Sequence, residues 1–112
     1  MSDWNEDQPI YRQIADILVS RILDGTYAEG ELMPSVRQIA SEFDVSPLTS
    51  AKVFQELDKD DLTEKRRGIG AEVRAGARKR MLKLERERFL TREWPEIRSK
   101  LKLLGIKLSE LD

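Results

Sequence analysis

The sequence predicts a mainly α-helical fold that carries one small β-hairpin. Apolar residues recur at helical spacing through most of the 112-residue chain, and short turn signals separate the segments. The exception is residues 63–73, TEKRRGIGAEV, where two short extended stretches flank a glycine-containing turn. A chain of this length forms one domain with a modest core.

Composition excludes several classes of protein. The chain has no cysteine and no histidine, so it lacks disulfides, thiolate metal sites and the commonest general base. Its carboxylates are scattered along polar helix faces, where solvation explains them better than catalysis does. No run approaches the roughly 18 apolar residues of a membrane span, and the acidic start is unlike a signal peptide. We therefore expect a cytoplasmic protein that is not an enzyme and holds no cofactor or metal ion.

The first predicted helix begins with Pro9, which suits a first-turn position, and stops at Gly25. The next segment, TYAEGELMP, is expected to be a loop or a short strand. One face of the helix carries the apolar residues Ile10, Ile14, Ile17, Leu18 and Ile22.

Two shorter helices are predicted next. Ser35 with Gln38 three residues later forms a capping box, and after a tight turn at Asp44, Ser46 caps a third helix that begins with Pro47. Two short helices joined in this way form a helix-turn-helix, and a hairpin after it makes a winged helix. The inward residues are Ile39, Ala40 and Phe43 on the second helix and Val53, Phe54 and Leu57 on the third.

The chain from Ala75 onward is helical in composition, with no turn signal before Pro95, which either kinks the helix or starts a new one. We therefore assign residues 1–74 to a winged helix-turn-helix domain and residues 75–112 to a helical tail. Two apolar patterns run along the tail: a short seam of Ala77, Met81 and Leu84, then heptad spacing at Leu90, Trp94, Ile97, Leu101 and Leu104.

Charge is distributed unevenly. Residues 1–50 carry three basic and nine acidic side chains, whereas residues 65–92 carry eleven basic and three acidic ones, a local net charge of +8. A pI near 5.6 argues weakly against a nucleic-acid ligand. Screening nevertheless lets a local basic patch bind phosphate, because only charges within about 8–10 Å matter. Since exposed ion pairs add little stability, three consecutive basic residues at the hairpin favour contact with a polyanion: Lys65, Arg66 and Arg67.

The helix-turn-helix permits two interpretations: a plain three-helix core, or a DNA-reading unit. The second is favoured because the third helix begins with the small polar residues Ser46, Thr49 and Ser50. Arg37 and Lys52 are basic residues on faces that the core does not need. We expect the third helix to enter a major groove while the hairpin reaches the backbone or the minor groove. The backbone of the hairpin can approach the DNA closely because two of its positions are glycine, Gly68 and Gly70.

The heptad tail also permits two interpretations: a helix folded back on its own domain, or a dimer interface. One small domain has little surface left to cover five large apolar residues, which favours a homodimer that presents two reading helices to a palindromic site. The candidate dimerisation residues are Met81, Leu84, Leu90, Trp94, Ile97, Leu101 and Leu104.

Roughly the first seventy residues resemble the amino-terminal winged-helix domain of the GntR family of bacterial transcription factors. The resemblance lies in the segments PSVRQIA, VSPLT and RRGIG, and the short tail with ERERFL and EWPEIRSKL is similar to that of the YtrA subfamily. It implies dimerisation through the tail and no larger effector domain. It also implies DNA contacts for Ser35, Arg37, Ser46, Thr49, Lys52, Arg66, Arg67, Gly68 and Gly70.

The sequence departs from the family pattern at a few positions. Ser50 stands where a branched apolar residue is usual, Asp44 and Asp61 replace turn glycines, and GAEV lacks the usual aromatic of the second wing strand.

We expect a homodimeric transcriptional repressor that binds a palindromic operator in double-stranded DNA and lies at the bacterial nucleoid. A small-molecule effector is not identifiable from the residues. The alternative is an interaction module that docks a partner chain through the winged helix and the tail, and salt-sensitive DNA binding distinguishes the two. Nothing supplies a nucleophile–base pair for an enzyme.

Overall fold

The computed structural model describes residues 6–112, which form two compact units that divide between Met81 and Leu82. The first unit contains α1 (Ile10–Leu23), α2 (Val36–Phe43), α3 (Pro47–Lys59), β1 (Thr63–Arg66) and β2 (Gly70–Val73). Helix α4 (Ala77–Arg88) crosses the division, followed by a π-helical turn (Phe89–Glu93), α5 (Trp94–Leu104) and a 3-10 turn (Leu108–Glu110). This element order confirms the predicted fold class of a winged helix with a helical C-terminal region.

The core of the first unit lies between α1, α2 and α3, with α3 packed against both other helices. Two residues predicted to be buried on α1 are instead exposed, Ile10 at 40% and Ile17 at 36%. The buried stripe is rotated toward Ala15 and Val19, because a helix turns about 100° per residue and Ile17 lies off that stripe. The predicted centre of the core is buried as expected: Ile14, Leu18, Ile39, Val53 and Leu57.

Local caps begin and end the helices as the sequence predicts. The backbone N–H of Gln38 donates to the Ser35 hydroxyl over 3.1 Å, and the Gln38 side chain accepts from the Ser35 N–H over 2.7 Å. Ser46 caps α3 by accepting from the N–H of Thr49 over 3.1 Å. Asp44 adopts a left-handed conformation with φ 53° in the turn between α2 and α3, which an L-residue with a short polar side chain tolerates.

The hairpin occupies the predicted residues 63–73, and its two strands leave only a short tip. β1 and β2 pair antiparallel, with Arg66 opposite Gly70, so only residues 67–69 form the tip. The N–H of Ile69 bonds the carbonyl of Arg66 over 2.9 Å, and Gly68 has φ 76°, the positive value that this turn position requires. Residues 30–33 add backbone bonds to the other edge of β2, including Met33 N–H to the Ala71 carbonyl over 2.9 Å.

The first turns of α4 belong to the winged-helix unit. Ala77 is fully buried and Met81 is 5% exposed, and both lie in the same core as α1 and α3. Met81 is thus covered by its own chain, which corrects its predicted role in a dimer interface. Leu84, the third member of the predicted seam, is 48% exposed.

Glu29 caps the amino terminus of α4. Its carboxylate accepts from the N–H of Gly76 over 2.7 Å and from the N–H of Arg78 over 3.2 Å. These two hydrogen bonds lower the pKa of Glu29 below its ordinary value of 4.5. The cap therefore requires the ionised carboxylate, because protonation weakens an acceptor that two donors share.

Replacing Glu29 by glutamine should reduce stability in a pH-dependent way. A folded-state pKa below the unfolded value means that the contribution is fully present above about pH 4.5 and is lost as pH falls through the folded pKa. The difference in unfolding free energy between wild type and Glu29→Gln should thus be largest near neutral pH and shrink on acidification. Urea unfolding at several pH values measures it, with exposed Glu31→Gln as the matched control. A difference that does not change with pH would contradict the cap.

The tail helix is not uniform. The N–H of Trp94 bonds the carbonyl of Phe89, five residues back, which widens one turn into the π form just before Pro95. Pro95 then lies in the first turn of α5, a position that tolerates proline. No helix among residues 6–112 is both long and apolar enough to cross a membrane.

Candidate nucleic-acid interface

The amino termini of α2 and α3 are both capped by serine. Each capping hydroxyl accepts a backbone N–H, Ser35 from Gln38 and Ser46 from Thr49, and a hydroxyl that accepts still has a proton to donate. The Thr49 hydroxyl lies 3.0 Å from that of Ser46. Free N–H groups and the positive end of the helix dipole make such termini suitable for phosphate oxygens.

Ser50 is not part of this surface, which corrects its predicted DNA contact. Its side chain is fully buried, and its hydroxyl donates to the carbonyl of Val36 over 2.7 Å. The residue that replaces a usual apolar side chain therefore fixes α3 to the start of α2 with a hydrogen bond. Because the buried hydroxyl of Ser50 is hydrogen-bonded, its burial avoids the free-energy cost of an unpaired polar group.

Arg37 and Lys52 differ in how far they are restrained. Arg37 is exposed on α2 and makes no ion pair within the part of the chain that the structure describes. The Lys52 ammonium lies 5.4 Å from the ring centroid of Tyr11 on α1, a cation–π contact. Tyr11 carries no functional signal in the sequence, because only the packing of α1 beside α3 brings the two side chains together.

The basic hairpin residues lie on two faces. Lys65 and Gly70 line a cavity of about 280 Å³ together with Ser35 at the start of α2, so these three predicted residues share one site. Arg66 lines a different cavity together with Glu64 and Glu72. Alternation along β1 explains the separation, since successive side chains of a strand point to opposite faces.

The guanidinium of Arg66 is paired with carboxylates of the hairpin itself. Its Nε donates to a carboxylate oxygen of Glu72 over 2.5 Å, and Glu64 lies 3.9 Å from its guanidinium. The hydrogen bond to Glu72 raises the pKa of Arg66 above its ordinary value. Arg67, at the turn, is exposed and makes no ion pair with any residue from 6 to 112.

Two exposed apolar side chains in this region were not predicted as functional. Leu48, in the first turn of α3, is 82% exposed, and Ile69, at the hairpin tip, is 67% exposed. Both have a signal in the sequence: Leu48 lies off the buried stripe of α3, and Ile69 stands between two glycines. Among residues 6–112 no cluster of three or more acidic side chains could hold a metal ion.

A three-helix unit with capped, outward-facing helix starts and a basic hairpin defines a winged-helix DNA-binding regulator. Residues 10–73, more than half of the chain, match the family described as bacterial regulatory proteins, gntR family. The chain belongs to the GntR family and is a DNA-binding transcriptional regulator.

Curated relatives agree with this assignment. An uncharacterized HTH-type transcriptional regulator of Bacillus subtilis, YhcF, is 32% identical over 111 residues, 98% of this chain and 89% of YhcF. The HTH-type transcriptional repressor YtrA of B. subtilis is 32% identical over 76 residues, 68% of this chain and 58% of YtrA.

Solved structures agree as well. A GntR family transcriptional regulator from Listeria monocytogenes superposes with a TM-score of 0.75 at 27% identity, covering 96% of this chain and 93% of that one. Streptococcus agalactiae BusR, solved in complex with its busAB-promotor DNA, has a TM-score of 0.64 at 26% identity and covers 93% of this chain and 52% of its own.

Proposed function

We propose that this regulator is a YtrA-like homodimeric repressor whose tail joins two copies on a palindromic operator. One observation carries the proposal: within Leu82–Asp112, all of which the structure describes, no side chain is buried. The large apolar side chains left exposed there are Leu82, Leu84, Phe89, Leu90, Ile97, Leu103, Leu104, Leu108 and Leu111.

The predicted heptad stripe remains available for a partner. Leu90, Ile97 and Leu104 are between 42% and 60% exposed, while Trp94 and Leu101 are half-buried. Contiguous exposed apolar surface of this kind marks an interaction site, because water is displaced from it on association. Steps of four and three residues suit packing against another helix with the same repeat.

A second copy of the chain is the partner that these observations favour. The tail segment 82–112 carries eight basic and six acidic side chains, so two copies repel one another only weakly. A symmetric pair uses the same stripe on both chains, which needs no second protein. Two reading helices related by a two-fold axis then call for a two-fold symmetric operator.

The proposed repressor role follows from binding of the dimer to promoter DNA. A dimer that holds promoter DNA blocks the access of other proteins to it, and the relative YtrA is named as a repressor. Because its target is DNA, we expect the protein in the bacterial cytoplasm, at the nucleoid. The candidate contacts are Ser35, Arg37, Ser46, Thr49, Lys52, Lys65, Arg66, Arg67, Gly68 and Gly70, without the buried Ser50.

The proposal is tested by titrating DNA from the promoter region of the protein's own gene at several salt concentrations. A phosphate-binding dimer should bind with a logarithmic affinity that falls linearly with log salt, by about 0.9 unit for each phosphate neutralised. Random duplex of equal length serves as the control. Absence of binding, or binding that salt does not change, would favour the alternative of a protein-docking module.

Alanine variants of Arg37 and Lys52 should separate base reading from phosphate contact. A side chain that reads guanine should lose about 1–3 kcal/mol on the operator and little on random DNA, whereas a phosphate contact loses equally on both. Because Lys52 is already held against Tyr11, we expect Arg37→Ala to show the operator-specific loss. Competition binding measures both, and an equal loss for Arg37→Ala on the two duplexes would reassign it to the backbone.

A further inference from the structure

Leu48 presents a large apolar side chain on α3, where every exposed side chain that follows it in the helix is polar. At 82% exposed it is the most accessible large apolar residue between positions 6 and 81. Its immediate surroundings in α3 are the Ser46 cap, the Thr49 hydroxyl and the Lys52 ammonium one turn later. An exposed leucine adds nothing to the stability of the core, but its side chain is available to contact a ligand.

The geometry of α3 directs Leu48 away from the protein. At about 100° per residue, Leu48, Lys52 and Gln55 share one face, and all three are exposed. Ser50 and Leu57 occupy the opposite face and are fully buried. A helix that docks with its buried face on its own domain therefore offers the Leu48 face to the DNA. Residues in the first turn of a recognition helix are those that contact base edges.

Only one feature of the major groove suits a leucine. Base edges there present hydrogen-bond donors and acceptors, except for the 5-methyl group of thymine, which is apolar. Leucine offers no hydrogen bond, and contact with a methyl group removes apolar surface of both from water.

We propose that Leu48 reads the 5-methyl group of a thymine in each half-site of the operator and so determines sequence specificity. The inference rests on the proposed operator binding and deepens it. Leu48 contributes through contact with the base, whereas the Ser46 and Thr49 hydroxyls position the start of α3 on the backbone.

The test removes the methyl group alone. The preferred duplex is selected from a random-sequence library with wild-type protein, and each of its thymines is then replaced singly by deoxyuracil, which pairs identically. Loss of one buried methyl group should weaken wild-type binding about fourfold at the thymine that Leu48 contacts. Leu48→Ala should bind the thymine and deoxyuracil duplexes equally at that position, because its side chain no longer reaches the methyl group.

Two further variants keep the result unambiguous. Leu48→Met retains an apolar side chain of similar reach and should preserve part of the thymine preference. Ile69→Ala removes the other exposed apolar side chain, at the hairpin tip, and should leave the deoxyuracil effect unchanged, since the minor groove carries no methyl group. Circular dichroism and thermal unfolding confirm that each variant is folded.

The outcomes distinguish the two proposals. A thymine effect that Leu48→Ala abolishes and Ile69→Ala retains supports the assignment. A selected duplex in which every deoxyuracil substitution affects wild type and Leu48→Ala by the same factor overturns it and leaves operator binding intact. A library that enriches no sequence contradicts the proposed operator binding itself.

Discussion

The double variant Trp94→Ala with Leu101→Ala should dissociate the dimer while leaving the winged helix folded. Burial of a large apolar side chain contributes about 1.5–3 kcal/mol, and a symmetric interface counts each residue twice, so dimerisation should weaken by several kcal/mol. Neither residue lies in the core of the first unit, which is formed by α1, α2, α3, the hairpin and the start of α4. Sedimentation equilibrium should show a monomer at micromolar concentration.

Operator binding should fall much further than non-specific binding in this variant. Joining two DNA-binding domains raises the affinity for a two-fold symmetric site by roughly 10²–10⁴-fold. Only the operator offers a specific half-site to each of the two domains. Leu103→Ala is the matched control, because Leu103 is 85% exposed, lies on α5 and is off the heptad stripe. A double variant that stays dimeric, or a wild type that sediments as a monomer, would show that the stripe is not the interface.

Removal of both hairpin arginines should flatten the salt dependence of all DNA binding. If Arg66 and Arg67 each neutralise one phosphate, the dimer loses four contacts, and the slope of log affinity against log salt should fall by about four units. The loss should be similar on operator and random DNA, because phosphate contacts carry no sequence information. Fluorescence anisotropy at a series of salt concentrations measures the slope.

The two single alanine variants should reduce the slope of the salt dependence by different amounts. Arg67 is free of ion pairs within residues 6–112, whereas Arg66 must first give up its bond to Glu72, so Arg67→Ala should account for the larger change. Glu72→Gln removes the competing charge and should strengthen DNA binding through Arg66. Lys79→Ala, an exposed basic residue on α4, is the control for a general loss of charge. An unchanged slope in the double arginine variant would exclude the hairpin as a phosphate contact.

Local sequence signals predicted most of the fold because caps and turns act over a few residues. The Ser35 capping box, the Ser46 cap and the tight turn at Asp44 all formed as predicted, and each depends on groups at most three or four positions away. At Pro95 the sequence predicts a kink or a new helix, and the structure has a π-helical turn just before it. Proline indicated a disturbance there, but its form depends on how the preceding carbonyl groups pair.

Tertiary contacts explain what the sequence did not predict. Ser50 looked like a phosphate ligand because its hydroxyl is polar, and only the approach of α2 supplies the Val36 carbonyl that it bonds. The pairing of Arg66 with Glu72 depends on the hairpin register, which places Glu64 opposite Glu72. Likewise, Met81 was assigned to the tail by its spacing, and the core of the winged helix covers it instead.

Asp44 and Asp61 have φ angles of 53° and 58°, a conformation that aspartate tolerates with a small strain that glycine does not have. An aspartate codon becomes a glycine codon by one base change, so a single mutational step relieves each strain. The gain is about 1 kcal/mol or less, since glycine also loses more chain entropy on folding. We therefore expect Asp44→Gly and Asp61→Gly each to stabilise the protein slightly, and neither substitution alters a candidate DNA-contact residue.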